Sequence, residues 1–187
     1  MQRRLKAFYL LLLCLSVSAC ASTAPQSAVQ TTKRYVDVKK YSGRWYELAS
    51  FPAFFQRGCT CTQAYYRPMG DHLQVINSCH KDKPNGKLTV AKGKAFIVPN
   101  SRNTKLKVQF FWPFKGDYWI LYRSPNYKYA VVGNPKRNYL WILSRSPRVS
   151  KQQLKFLKQI AVKQGFDISK LQITAQNCAY RRPDPSS

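Results

Sequence analysis

Along most of this chain, short segments of alternating or continuously apolar residues follow one another with turn signals between them and no helical period. Eight such segments stand at about 43–51, 60–67, 72–79, 87–98, 105–112, 117–123, 128–133 and 139–145. The breaks carry turn chemistry: Pro68-Met69-Gly70-Asp71, Pro84-Asn85-Gly86, Pro99-Asn100-Ser101, Lys115-Gly116-Asp117, Ser124-Pro125-Asn126 and Asn134-Pro135-Lys136. Regular spacing without intervening helices predicts an all-β antiparallel meander closing into a barrel or a sandwich. The period then changes. Ser150 as N-cap, Gln153 three residues later and Gly165 past the end bracket one helix. Its stripe of Leu154, Leu157, Ile160, Ala161 and Gln164 is expected to lie on the sheet, with Lys151, Lys155 and Lys158 toward water.

The N-terminus follows a different rule. Arg3, Arg4 and Lys6 precede an apolar run from Ala7 to about Val17, followed by small residues, which is the layout of a signal peptide over 1–19. As a helix that run is roughly 16 Å long, too short for the ~20 residues that cross a bilayer core. Val17-Ser18-Ala19-Cys20 resembles the lipobox of bacterial lipoproteins, in which the cysteine is acylated and becomes the new N-terminus. The resemblance makes Cys20 the lipid-attachment residue and the membrane a partner. With Ala21 rather than Asp after it, the resemblance implies the outer membrane. Residues 20–35, small and polar at first, read as acylated cysteine and flexible tether. The folded domain is assigned to 36–178 and a tail to 179–187.

Charge sharpens the question of partners. The 32 Lys and Arg against 7 Asp and Glu give +25, and the three basic residues lost with 1–19 leave +22 on the mature chain. Such a field attracts nucleic acid, anionic lipid or an acidic small ligand. Export removes nucleic acid from the expected partners and leaves acidic lipid. Self-association as a homodimer is left open.

Of six cysteines, Cys14 leaves with the signal and Cys20 takes lipid, so Cys59, Cys61, Cys79 and Cys178 remain. In an oxidising compartment, four cysteines suggest two disulfides. Cys59 and Cys61 stand two apart on one predicted strand, so that one could reach Cys79 across a hairpin and the other Cys178, with the assignment open. His72 and His80 have no ligand spacing with these cysteines, neither has an obvious catalytic partner in sequence, and His72 sits at a hairpin turn. No metal, cofactor or catalytic group is called for. Glu47, the only acidic residue in the first strand, reads as a hydrogen-bonding group near the closed end.

Eight meandering strands and one helix, with Gly43-x-Trp45 opening the first strand, resemble the lipocalin family. Tyr139-Leu140-Trp141-Ile142-Leu143-Ser144-Arg145 resembles the family's third signature. Asn126-Tyr127 with Tyr129-Ala130-Val131-Val132-Gly133 resembles the middle one in its bacterial and apolipoprotein D-like branch. The likeness runs from about Tyr41 to Thr174, and the four-cysteine set departs from it. It implies an eight-stranded antiparallel up-and-down barrel with the helix packed outside. It also implies structural roles for Gly43, Trp45 and Arg145, the guanidinium lying on the indole.

A barrel of eight strands is just wide enough for one small ligand. If Trp45 points inward, Glu47 and Ala49 share its side, and Tyr65, Phe110, Trp112, Tyr118 and Tyr122 are the aromatic candidates for ligand contact. The resemblance implies a fatty acid or lysophospholipid, stored or carried for upkeep of the cell envelope. The competing reading is a basic surface module for lipopolysaccharide or another anionic envelope polymer, with the barrel as scaffold.

Overall fold

The computed structural model describes residues 27–179. Eight antiparallel strands close into a barrel: β1 (Gly43–Ser50), β2 (Cys59–Pro68), β3 (Leu73–Lys81), β4 (Leu88–Ile97), β5 (Lys105–Phe111), β6 (Phe114–Arg123), β7 (Tyr129–Gly133) and β8 (Leu140–Ser144). Each pairs with the next, and β1 pairs with both β8 and β2. A ninth strand, β9 (Gln172–Ile173), adds to the far half of β1. The segment Lys115-Gly116-Asp117, expected as a turn, instead lies inside β6, and the chain reverses at Trp112-Pro113. Gly116 is simply a strand residue opposite Val108.

Strand direction defines two ends. Residues 51–58, 82–87, 112–113 and 134–139 connect strands at the mouth, and 69–72, 98–104 and 124–128 at the floor. A short helix α1 (Val38–Tyr41), capped by the Asp37 carboxylate on the Lys40 N–H, crosses beneath the floor and delivers Tyr41 and Trp45 into it. Gly43 makes the bend between α1 and β1 with φ +88°, and a Cβ there would stand 3.5 Å from the Arg145 guanidinium. The positive φ favours glycine, while a Cβ at that distance would make only an ordinary contact.

Arg145 is the rivet of the floor. Its guanidinium lies 3.8 Å from the centre of the fully buried Trp45 ring. Its nitrogens donate to the carbonyls of Lys40, Tyr41 and Ser42 at 2.8–3.0 Å, to that of Tyr127 at 3.3 Å, and to that of Arg44. Trp45 in turn donates its indole N–H to the Tyr41 carbonyl at 2.8 Å. One planar, always-charged fork thus satisfies carbonyls from the end of α1 and both flanking loops that no ladder could reach.

The helix α2 (Lys151–Lys163) starts where the sequence predicts, the Ser150 hydroxyl accepting from the Gln153 N–H, and it ends at Gly165 with φ +78°. Leu157 and Ala161 are fully buried against the outer faces of β6, β7 and β8. After α2 the chain runs to β9 and then along the opening between β1 and β2, where the Cys61 N–H donates to the Ala175 carbonyl and Gln176 bridges the carbonyls of Glu47 and Thr62. Disulfides Cys59–Cys79 and Cys61–Cys178 settle the open assignment.

The expected tether is shorter than its sequence suggests. From residue 27 to 35 the chain is docked: Val29 is buried beneath α2, the Thr32 N–H donates to the Ile120 carbonyl, and Arg102 and Arg123 hold the carbonyls of Lys33 and Tyr35. Small polar composition hid one valine and a set of backbone partners. Cys20 and the signal segment lie outside the described residues.

Two outcomes follow. Arg145→Lys keeps the charge and loses the fork, so urea unfolding should show a loss of about 2–4 kcal/mol with an unchanged denaturant slope. Removing the long-range disulfide with Cys61→Ala and Cys178→Ala should cost about 2–4 kcal/mol. Amide exchange in that variant should speed first at 172–178, while the Cys59–Cys79 hairpin keeps its protection.

Candidate functional site in the barrel lumen

Register decides which side chains face inward. Trp45 is inside, and its neighbours across the sheet are Ala64, then Asn77, then Ala91, which therefore face inward with it. The next row toward the floor is Tyr66, Val75 and Gly93, and on β5 Leu106, Val108 and Phe110 share the face. Gly93 makes room for a ring: a Cβ there would meet the Phe110 side chain at 2.8 Å.

At the bottom, three tyrosines join hydroxyls. Tyr41 and Tyr118 are 2.8 Å apart, and Tyr66 donates to Tyr118 at 3.0 Å. All three are buried, so each phenolate would form where water cannot solvate it. Burial pushes Tyr66 up to about 12, although its bond to Tyr118 and the nearby Arg145 oppose the shift. Burial raises Tyr41 and Tyr118 further; Tyr66 adds to the shift at Tyr41, where the bond to Tyr118 opposes it, and both partners add to it at Tyr118. The base of the lumen is polar but uncharged.

Above the triad, rings continue to the mouth. Trp141 stacks on Tyr118 with centroids 6.5 Å apart, Tyr139 on Trp141 at 5.7 Å, and Phe55 of the β1–β2 loop on Tyr139 at 5.8 Å. Gln56 ties that loop down by accepting from the Trp141 indole at 3.0 Å and donating to the Glu47 carboxylate at 2.8 Å. Glu47 also accepts from Ser50 at 2.9 Å and from Thr174 at 2.6 Å. Burial raises its pKa against the pull of these three donors. A cleft of about 550 Å³ opens here between the β1–β2 loop and the C-terminal segment, lined by Glu47, Ser50, Phe54, Gln56, Thr62 and Thr174 among others. Asn77 faces the lumen, and its buried Oδ1 has no protein partner among the described residues, leaving a hydrogen-bonding position in the wall.

The sequence candidates divide. Tyr118 and Phe110 are inside. Tyr65 is outside, because pairing of Trp45 with Ala64 sends Tyr66 inward. Tyr122 lies under α2 against Phe156, 5.8 Å between rings, since a bulge between Ile120 and Tyr122 reverses the alternation. Trp112 sits on the tip of the β5–β6 hairpin, 87% exposed. On β1 a bulge between Glu47 and Ala49 turns Ala49 to the helix layer, and Glu47 belongs to the mouth half rather than the closed end. Tyr41, Tyr66 and Trp141 were missed as lumen residues. Their signal was Trp45 as an inward anchor combined with register, which pattern alone does not supply.

The triad gives a pH signature. These groups are raised in the folded state, so their contribution is complete below pH 10 and is lost as pH rises above it, through about 12 for Tyr66 and higher still for Tyr41 and Tyr118. Absorbance titration at the tyrosinate band should show three tyrosines silent until the protein unfolds. Tyr118→Phe should lower stability at neutral pH by about 1–2 kcal/mol, by stranding two hydroxyls.

The comparisons agree with this geometry. A family model described as a lipocalin-like domain matches residues 36–176. The chain is 42% identical over 153 residues to temperature-induced lipocalin-1 of Arabidopsis thaliana, covering 76% of this chain and 80% of that one. It is 37% identical over 155 residues to outer membrane lipoprotein Blc of Escherichia coli K12 (82% and 86%), and 38% identical over 154 residues to apolipoprotein D of Mus musculus (76% and 78%). Among solved structures, insecticyanin of the tobacco hornworm Manduca sexta superposes with a TM-score of 0.62 at 21% identity over 82% of this chain and 85% of that one. Lobster apocrustacyanin A1 does so with 0.60 at 20% identity (82% and 93%). A closed eight-stranded barrel riveted by Arg145 on Trp45, a helix outside it, and a matching family model over nearly all of the folded residues place this chain in the lipocalin family.

Proposed function

We propose that this chain is an outer-membrane lipoprotein, anchored through acylated Cys20, that binds one fatty acid or lysophospholipid in its lumen and stores or carries it for upkeep of the envelope. The observation that carries the reading is the unbroken wall of rings from Tyr118 through Trp141 and Tyr139 to Phe55, with the small residues Ala64, Ala91 and Gly93 on the lumen face of the strands opposite. Rings and small residues together make a narrow, apolar surface suited to an acyl chain. Burying on the order of 300 Å² of acyl surface contributes about 7 kcal/mol gross, against which association takes several.

The ligand's polarity fixes its direction. Tyr41, Tyr66 and Tyr118 satisfy one another and are held neutral, so the base offers no charge to a headgroup. Arg57 and Lys115 are exposed at the mouth. The tail therefore goes down and the carboxylate or phosphate stays at the basic rim. The relationship to a protein named outer membrane lipoprotein supports the location, and the Val17–Cys20 motif supports the anchor. A binding role rather than catalysis fits the site, whose hydrogen bonds tie side chains to one another and offer no nucleophile–base pair.

Native mass spectrometry of the mature chain with Cys20→Ser should show one fatty acid or lysophospholipid per barrel, retained in about 1 M salt, where screening acts within about 3 Å. Val108→Trp, which projects an indole into the lumen, should weaken uptake at least tenfold. Binding that vanishes in salt and ignores this substitution would sink the lumen site and favour the basic exterior as a surface for lipopolysaccharide or another anionic polymer.

A further inference from the structure

The large apolar side chains left in water are distributed unevenly between the two ends. At the mouth, Phe54 and Phe55 on the β1–β2 loop are 77% and 51% exposed, and Phe111, Trp112 and Phe114 on the β5–β6 hairpin are 77% or more. At the floor the exposed large apolar side chains among the described residues are Met69 on a loop and Tyr35 on the N-terminal segment. Five rings held in water around an opening cost free energy that a barrel has no need to bear, and their ordinary meaning is a surface that something apolar covers. Exposed cations share that rim: Arg57, Lys83, Lys87, Lys115 and Lys136, with Asp82 the acidic exception.

The path of the N-terminal segment says what covers it. From the floor, where Val36 is buried, the chain runs back up the outside of the barrel through Val29 beneath α2. The Gln30 N–H donates to the Gln164 side chain at the mouth end of α2, and Arg137 of the β7–β8 mouth loop holds the Ser27 carbonyl. The described chain therefore begins beside the mouth. Cys20 lies seven residues earlier, within about 25 Å of that point at full extension.

We infer that the mouth docks on the membrane: the aromatic tips of the β1–β2 and β5–β6 loops enter the interfacial layer of an anionic bilayer, with the basic rim on its headgroups and the lumen opening toward lipid. Trp112 favours that layer as an amphipathic ring, the four phenylalanines bury apolar surface at its acyl boundary, and cations beside them add attraction to acidic lipid. The docked N-terminal segment, which brings the acylated residue to the same end, holds the barrel in this orientation. The inference rests on the proposed acyl anchor and lumen, and it adds the route: an acyl chain passes between bilayer and lumen without crossing water.

The test uses the mature chain with Cys20→Ser, so that no acyl group attaches it, and vesicles of phosphatidylethanolamine with phosphatidylglycerol. Vesicles carrying bromine on the acyl chains near the headgroup should quench the protein's fluorescence. Trp112→Phe should remove most of that quenching, because Trp45, Trp119 and Trp141 remain but do not reach the bilayer. Phe111→Ser, Trp112→Ser and Phe114→Ser together should lower partition onto the vesicles at least tenfold, while uptake of a soluble fatty acid stays unchanged. Equal partition of this variant and the parent would overturn the docking, as would quenching that survives Trp112→Phe. Sedimentation showing that the three rings hold a dimer which does not touch vesicles would also overturn it, assigning the patch to a second copy. Loss of fatty-acid uptake in the parent itself would instead defeat the lumen reading and leave the docking result to stand by its own measurement.

Discussion

Everything above the floor depends on one contact, the guanidinium of Arg145 laid on the indole of Trp45. A closed barrel still has two open ends, and at each end carbonyls and N–H groups leave the ladders without partners. At the floor, the unpaired groups are carbonyls converging from Lys40, Tyr41, Ser42, Arg44 and Tyr127, and one side chain with five donors in a plane answers them together. A lysine could reach one or two. The indole beneath supplies a flat, apolar seat for the plane and a hydrogen bond of its own to Tyr41, so the cation is desolvated without being left unpaired.

That seal has a chemical consequence for the lumen. With Trp45 fixed, Tyr41 is fixed above it, and Tyr41 positions the hydroxyls of Tyr118 and Tyr66. Buried hydroxyls without partners would be expensive, whereas three sharing their hydrogen bonds are not. The triad therefore does two jobs: it fills the narrow base, and it ends the polar chemistry there. The column above it is free to be made of rings. At the top the same logic recurs with a buried carboxylate. Glu47 gathers Ser50, Gln56 and Thr174, so a loop and the C-terminal segment are fastened at one point on β1 without a cation.

The fold was largely legible because its signals are local and redundant. Eight alternating segments, turn residues, the Ser150 cap and the Gly43-x-Trp45 and Arg145 signatures each point to the same barrel, and each boundary fell within a few residues. The lumen was only half legible. Tyr118 lies ahead of the bulge in β6, and Phe110 keeps the face of Leu106 and Val108, so both face inward as read. Tyr122 and Ala49 lie just beyond bulges, and Tyr65 lost to Tyr66 by one position of register. A period of two carries no memory of an inserted residue, so a side chain's face past a bulge depends on pairing that sequence does not display. Trp112 failed for another reason: its ring follows the end of β5, where alternation no longer applies. The docked segment at 27–35 failed because its partners, the Ile120 carbonyl and the guanidiniums of Arg102 and Arg123, stand more than 60 residues away in sequence.

The position of charge and the position of rings answer different physical needs, and this barrel separates them. A field of +25 on the chain is long-ranged but weakened by salt, which suits bringing the protein to an acidic surface rather than holding an apolar molecule. The lumen works by the opposite means, with contacts that act only at touching distance and do not weaken with ionic strength. Placing exposed rings where the two regimes meet, around the mouth, makes the rim both basic and apolar. An acyl lipid has the same two-part character. Its headgroup matches the outer field and its tail the inner wall, and the tyrosine triad at the base leaves that polarity no reason to invert.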